Sequence, residues 1–194
     1  MPTCVRHSVS GLRVYNADGG TMYILRPDER TALVMLYTQH SVVRGEAVIK
    51  QNVPRVNIWL RTDGAPRYLH ILKPQVLVFG GSPVKTLSYS EVYVPTAQVI
   101  AFHALPPLEE PLDYDSTEAD RKMEDMDVLV GTFVMTGKIR ISSHMEIDTT
   151  LESARVTWIS VYDVSITNPY LPQMPALQVP MVLVNPAYTA YGLA

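Results

Sequence analysis

A single cysteine, Cys4, stands in a chain of 194 residues, so no disulfide can close within it. A lone thiol fits a reducing compartment, and the expected location is cytoplasmic. No apolar run approaches the ~20 residues that cross a bilayer as a helix. The opening Met1-Pro2-Thr3-Cys4-Val5-Arg6-His7 lacks the apolar stretch of a secretory signal, so membrane insertion is not expected.

Signatures of chemistry are missing as well. His7, His40, His70, His103 and His144 are the only histidines, and none has metal-ligand spacing to another His, Cys or carboxylate. No metal and no cofactor are therefore expected. The chain has no Gly-x-Ser-x-Gly elbow. Gly19-Gly20 and Gly80-Gly81 read as turn pairs, and no phosphate-cradling loop with a following lysine is present. Cys4 has no fixed histidine partner that would activate it. The chain is not expected to be an enzyme.

What is present is enough apolar residue, 47%, to bury a core, and a lopsided charge. Residues 1–105 carry 11 Lys/Arg against 6 Asp/Glu, whereas 106–194 carry 5 against 13. Much of the negative charge lies in Glu109, Glu110, Asp113, Asp115, Glu118, Asp120, Glu124, Asp125 and Asp127. Such a block reads as a solvated linker; the alternative is contact with the basic first half of its own or a neighbouring chain.

Residues 1–30 predict a hairpin: Leu12-Arg13-Val14-Tyr15 and Met22-Tyr23-Ile24-Leu25 flank the turn cluster Asn16-Ala17-Asp18-Gly19-Gly20. Beyond it the chain repeats itself. Val42-Val43-Arg44-Gly45 aligns with Val134-Met135-Thr136-Gly137, and Val56-Asn57-Ile58-Trp59-Leu60 with Ile147-Asp148-Thr149-Thr150-Leu151. Tyr68-Leu69-His70-Ile71 aligns with Trp158-Ile159-Ser160-Val161, and Val92-Tyr93-Val94-Pro95 with Val182-Leu183-Val184-Asn185. The offset drifts only from 92 (Gly45 to Gly137) through 91 (Leu60 to Leu151) to 90 (Val92 to Val182), which points to an internal duplication.

Each copy reads mainly as strands. A hairpin is expected over 33–37 and 42–49, and its counterpart over 128–130 and 134–141. Gly45 and Gly137 mark bulges that bend those strands. The blocks 56–60 and 147–151 each predict a single helical turn. Two further strands are expected per copy, 68–79 with 91–103 and 157–167 with 180–191. A short helix is expected near 116–124, capped by Ser116 or Thr117. The predicted organisation is a hairpin segment (1–30), a first β-barrel module (31–105), an acidic linker (106–126) and a second β-barrel module (127–194).

The paired strand-and-glycine blocks, Val42-Val43-Arg44-Gly45 and Val134-Met135-Thr136-Gly137, resemble the Sm-like family of small β-barrels. So do the apolar triplets before a tight turn, Val92-Tyr93-Val94 and Val182-Leu183-Val184. The block Arg55-Val56-Asn57-Ile58-Trp59-Leu60 also resembles that of an uncharacterised bacterial domain family. The resemblance implies a mainly β fold of two tandem small barrels that pair sheet edges with neighbours. Sm-like rings bind single-stranded RNA partly through an Arg-Gly pair in the last turn. Pro95-Thr96 and Asn185-Pro186 stand there instead, so that pocket does not carry over.

Two candidate surfaces follow. Arg44, Lys50, Arg55, Arg61, Arg67 and Lys73, with Trp59 and Tyr68 interleaved, are the candidate nucleic-acid contacts, although Trp59 at helical spacing from Val56 suits a core. Tyr170, Met174, Met181, Tyr188 and Tyr191 form an apolar, weakly charged late segment suited to an interface. The expected role is a non-catalytic interaction or assembly protein, a homo-oligomer held by sheet edges and complementary charge, with room for another protein partner. A single-stranded RNA or DNA binder using the basic first module is the alternative.

Overall fold

The structure, a computed structural model, describes residues 6–8, 11–15, 21–79, 81, 83–106, 108, 110–153 and 156–193. The expected turn at 16–20, Cys4, Glu109 and two residues of the 80–83 turn lie outside them. Three strands, β1 (Arg6–Ser8), β2 (Gly11–Tyr15) and β3 (Thr21–Ile24), pair antiparallel as β1-β2-β3. The β2–β3 pair is the hairpin read from the sequence, in the register Leu12↔Ile24 to Tyr15↔Thr21.

All other strands belong to one antiparallel sheet of 11. In the first half these are β4 (Glu29–Tyr37), β5 (Ser41–Lys50), β6 (Tyr68–Val78), β7 (Lys85–Ser88), β8 (Glu91–Pro95) and β9 (Ala101–Ala104). The second half supplies β10 (Arg121–Val130), β11 (Phe133–Ser142), β12 (Ile159–Thr167), β13 (Leu177–Val184) and β14 (Ala190–Gly192). The order is β14-β10-β11-β12-β13-β9-β4-β5-β6-β7, with β8 attached to β6. Among the described residues no pairing closes this path into a barrel.

The strands form because apolar residues alternate. In β11, Phe133, Met135, Ile139 and Ile141 are buried while Thr136 between them is exposed. The register with β12 shifts by one residue opposite Gly137, and that of β5 with β6 shifts in the same way opposite Gly45, the extra residue lying in β12 and in β6. Both glycines are required by close approach. A Cβ on Gly45 would stand 2.9 Å from the Leu72 carbonyl oxygen, and one on Gly137 would stand 2.7 Å from that of Tyr162. Each bulge opens on a non-glycine residue with positive φ, Lys73 at 47° in β6 and Asp163 at 51° in β12. Such bulges bend the strands that carry them.

Two short connectors match the expected helical turns: a 3-10 turn over Trp59–Arg61 and α1 (Ile147–Ser153). The two long closing strands do not match. The span expected as one strand over 91–103 is split by a 3-10 turn, Thr96–Gln98, and the span over 180–191 by another, Pro186–Tyr188. These turns carry β9 and β14 away from the strands that precede them. β9 crosses to pair with β4, and β14 crosses to pair with β10. No helix forms near 116–124; β10 begins at Arg121, six residues ahead of the expected start of the second module.

The halves share their cores. One cluster, built on Val34, Leu36, Leu69 and Ile71, also takes in Trp158, Tyr162, Met181 and Leu183 from the second half. The other, built on Met126, Val128, Met135 and Val164, takes in Tyr37, Val42, Ile100 and Ala101 from the first. Each fully buried Leu, Ile or Val contributes roughly 1.5–3 kcal/mol relative to an exposed one. The halves therefore stabilise one another through a shared interior. The edge strands join as well: β13 pairs with β9 at Leu183↔Phe102 and Val184↔Ala101. The Asn185 N–H donates to the Ile100 carbonyl at 2.8 Å just beyond.

Candidate functional site

The acidic segment is exposed over 115–120, as a solvated linker would be, but docks on the chain over 110–114. Both oxygens of Glu110 accept backbone N–H bonds from the first half, from Val56 at 2.7 Å and Asn57 at 2.8 Å, and so hold the turn that leads to Trp59. Asn57 Nδ2 donates to the Pro111 carbonyl, and Arg55 to that of Leu112. Arg140 of β11 donates to Glu118 at 2.7 Å and lies over the Tyr114 ring, 4.9 Å from its centroid. The segment thus meets basic groups of both halves within its own chain.

Asp113 is its centre. The carboxylate accepts from Arg61 Nη1 at 2.6 Å, from Ser160 Oγ at 2.8 Å and from Tyr162 OH at 2.8 Å. Arg61 Nη2 also donates to Ser160 Oγ at 2.7 Å, so the residues form a closed ring. Burial opposes the charge on Asp113, but the bonds from Tyr162 and Ser160 and the Arg61 cation outweigh it and hold its pKa below the usual value. Burial and the same carboxylate push the Tyr162 phenol up. Arg61 comes from the 3-10 turn of the first half, Ser160 and Tyr162 from β12 of the second. The ring is a clasp between halves, and every polar partner in it is consumed.

The basic residues read as nucleic-acid contacts do not make one open surface. Trp59 is buried in the core, 3% exposed. Lys50 reaches Asp28 at 2.8 Å and Glu29 at 3.2 Å, Lys73 reaches Glu46, and Arg61 belongs to the clasp. Arg55 is half-buried against the acidic segment. Arg44 and Arg67 are exposed and form no ion pair among the described residues. The interface residues separate too. Met181 lies in the core, Met174 and Tyr191 are half-buried against it, and only Tyr170 and Tyr188 are exposed.

A different apolar pattern emerges at the sheet ends. Tyr68, Leu87, Tyr89 and Tyr93 are exposed on and around β6, β7 and β8, and Leu129, Tyr188 and Leu193 beside β14. Tyr93 stacks on His70 with ring centroids 4.3 Å apart. The sequence hides the first cluster because β7 is exposed along its whole length and shows no apolar alternation. Leu129 looks like any other apolar residue of a strand.

Among the histidines whose burial is described, His103 alone lies deep in the interior, 1% exposed. Its Nε2 lies 3.1 Å from Tyr37 OH and its Nδ1 lies 3.0 Å from the Ala104 carbonyl. The carbonyl can only accept, so Nδ1 carries the proton and Tyr37 donates to Nε2. Burial pushes the imidazole down to about 4, the Ala104 bond offsetting part of that. Among the described residues, no group of three His, Cys, Asp or Glu is placed to hold a metal ion. No helix is long and apolar enough to cross a membrane. No family model matches the chain, and no curated protein or solved structure is significantly similar to it.

Proposed function

We propose that the chain is one small Sm-like β-barrel module written twice, and that it acts as a non-catalytic assembly protein whose sheet ends join copies head to tail. Each copy would be a bent run of strands, β9-β4-β5-β6-β8 in the first and β14-β10-β11-β12-β13 in the second. Matching bulges at Lys73 and Asp163, each opposite a tightly packed glycine (Gly45, Gly137), and a 3-10 turn before each last strand support the duplication.

The observation that carries the assembly reading is the concentration of exposed large apolar side chains at the two sheet ends. Soluble monomers leave few such groups together. The contact has a template inside the molecule. β13 of the second copy pairs with β9 of the first; their counterparts are β8, which pairs with β6 off the path beside β7, and β14, which ends the path on the other side. A β8–β14 contact between two chains would repeat the internal one and would be heterologous, giving rings or filaments according to its geometry. It would also be weaker. Pro95 has no N–H to donate where Asn185 donates to Ile100. Glu110, Asp113, Glu118 and Glu124 of the acidic segment find partners within the chain, which leaves less charge to drive this association than the apolar side chains at the sheet ends supply.

Light scattering coupled to size exclusion tests this. Expected is an oligomer that grows with protein concentration, persists in high salt, and falls to monomer in Leu129→Lys or Leu87→Lys. A monomer at high concentration overturns the reading. A raised 260/280 nm absorbance ratio that salt removes would move single-stranded nucleic acid to the front.

A further inference from the structure

A cavity of about 160 Å³ lies where the outer face of the first half's strands meets the second half. On one side Tyr37, Val42 and Leu77 are direct cross-strand neighbours on β4, β5 and β6. On the other stand Phe133, Ile166 and Leu177, and Met174 of the proline-rich loop also lines the space. We propose that this cavity is a binding site for a small carboxylate with an apolar body, such as a substituted aromatic or short branched acid.

Size and lining select the body. Native interiors leave few voids larger than a water molecule. Apolar cavities near 150 Å³ stay dry and take up molecules of about the size of benzene. The only ring hydroxyl in the wall belongs to Tyr37, and it is committed to His103. Water entering the apolar part would find almost no partner.

The rim selects the head group. Met35, Arg44 and Gln75 form the next cross-strand row of the same sheet, and Arg44 and Gln75 line the cavity together with Thr86 of β7. Arg44 is exposed and has no ion pair among the described residues. A guanidinium offers paired N–H donors that match a carboxylate, and an amide and a hydroxyl beside it can complete the contact. A cation at the mouth of an apolar space disfavours amines and leaves a neutral body without its anchor.

Benzoate and benzyl alcohol, titrated into the full chain and followed by methyl chemical shifts of Val42, Ile166 and Leu177, test the site. Benzoate should shift these methyls, and Arg44→Ala should weaken benzoate by about tenfold while changing benzyl alcohol by less than about twofold. Val42→Phe and Leu177→Phe each fill the space and should abolish both ligands; circular dichroism identifies whichever variant remains folded. Benzoate binding that survives a folded filling variant, equal weakening of both ligands by Arg44→Ala, or no shift at millimolar benzoate overturns the proposal.

Discussion

Arg61 and Asp113 meet at 2.6 Å across the seam between the two halves, the first from a 3-10 turn and the second from the acidic segment that crosses over it. The Asp113 side chain is 6% exposed and that of Arg61 37%, so the pair is half-desolvated. Removing the carboxylate strands three donors at once, those of Arg61, Ser160 and Tyr162. Asp113→Ala is expected to cost about 3 kcal/mol, at the lower edge of the range for breaking a buried pair. Arg61→Ala should cost less, because Tyr162 and Ser160 still hold the charge. Urea midpoints of the two variants give the comparison, and equal, small losses would show the clasp to be idle. Its pH signature follows from the lowered pKa. The Asp113 contribution is present above its ordinary value of 3.8 and is lost as pH falls below it.

Glu110 acts earlier in the same segment by capping two backbone N–H groups. Glu110→Ala leaves both without an acceptor where Trp59 enters the core, for a loss of about 1–2 kcal/mol. Glu110→Gln retains one accepting oxygen and should fall between Ala and the parent in urea unfolding.

The two bulge glycines predict a matched pair of defects. A methyl on Gly45 would meet Ile71 Cγ2 at 2.5 Å as well as the Leu72 carbonyl, and one on Gly137 would meet the Tyr162 carbonyl. A carbonyl in a paired strand cannot swing aside, so each Gly→Ala should cost about 1–3 kcal/mol. At Gly81 an added Cβ meets nothing within 4 Å, and the same substitution there should change stability by less than about 0.5 kcal/mol.

These glycines also show how far the sequence could be read. A glycine inside an alternating apolar run has few meanings, so the register shifts opposite Gly45 and Gly137 and the hairpins around them were legible from spacing alone. Thr96–Gln98 was not, because the 3-10 turn interrupts an apolar pattern without a glycine. The helix expected near 116–124 rested on a plausible cap, but the alternation of Met126, Val128 and Val130 against β11 extends the strand backwards through charged residues. Burial on one face outweighed local preference there. Asp113 was illegible for a simpler reason. It sits among many acids, and only the crossing of the segment over Arg61 and β12 sets it apart. The scatter of the basic row was illegible because a list of cations carries no information about which acids fold against them.

His103 separates a buried neutral histidine from a surface one. In the folded chain its pKa lies at about 4 against an ordinary value of 6.5, so between these limits only the unfolded chain takes up the proton. Stability is therefore full above the ordinary value and falls as pH drops towards 4, by about 3 kcal/mol at the usual 1.4 kcal/mol per unit. This loss begins well above the acid range in which the Asp113 contribution is lost. His103→Phe keeps a ring in the core and removes the titration. It also leaves the Tyr37 hydroxyl without its acceptor, so it should be less stable than the parent at neutral pH. The discriminating quantity is the slope. Urea midpoints measured from pH 7 down to pH 5 should decline in the parent and stay level in His103→Phe, and also in the doubly altered His103→Phe/Tyr37→Phe, in which no hydroxyl is stranded. A decline that persists in both variants would assign the pH dependence to another group.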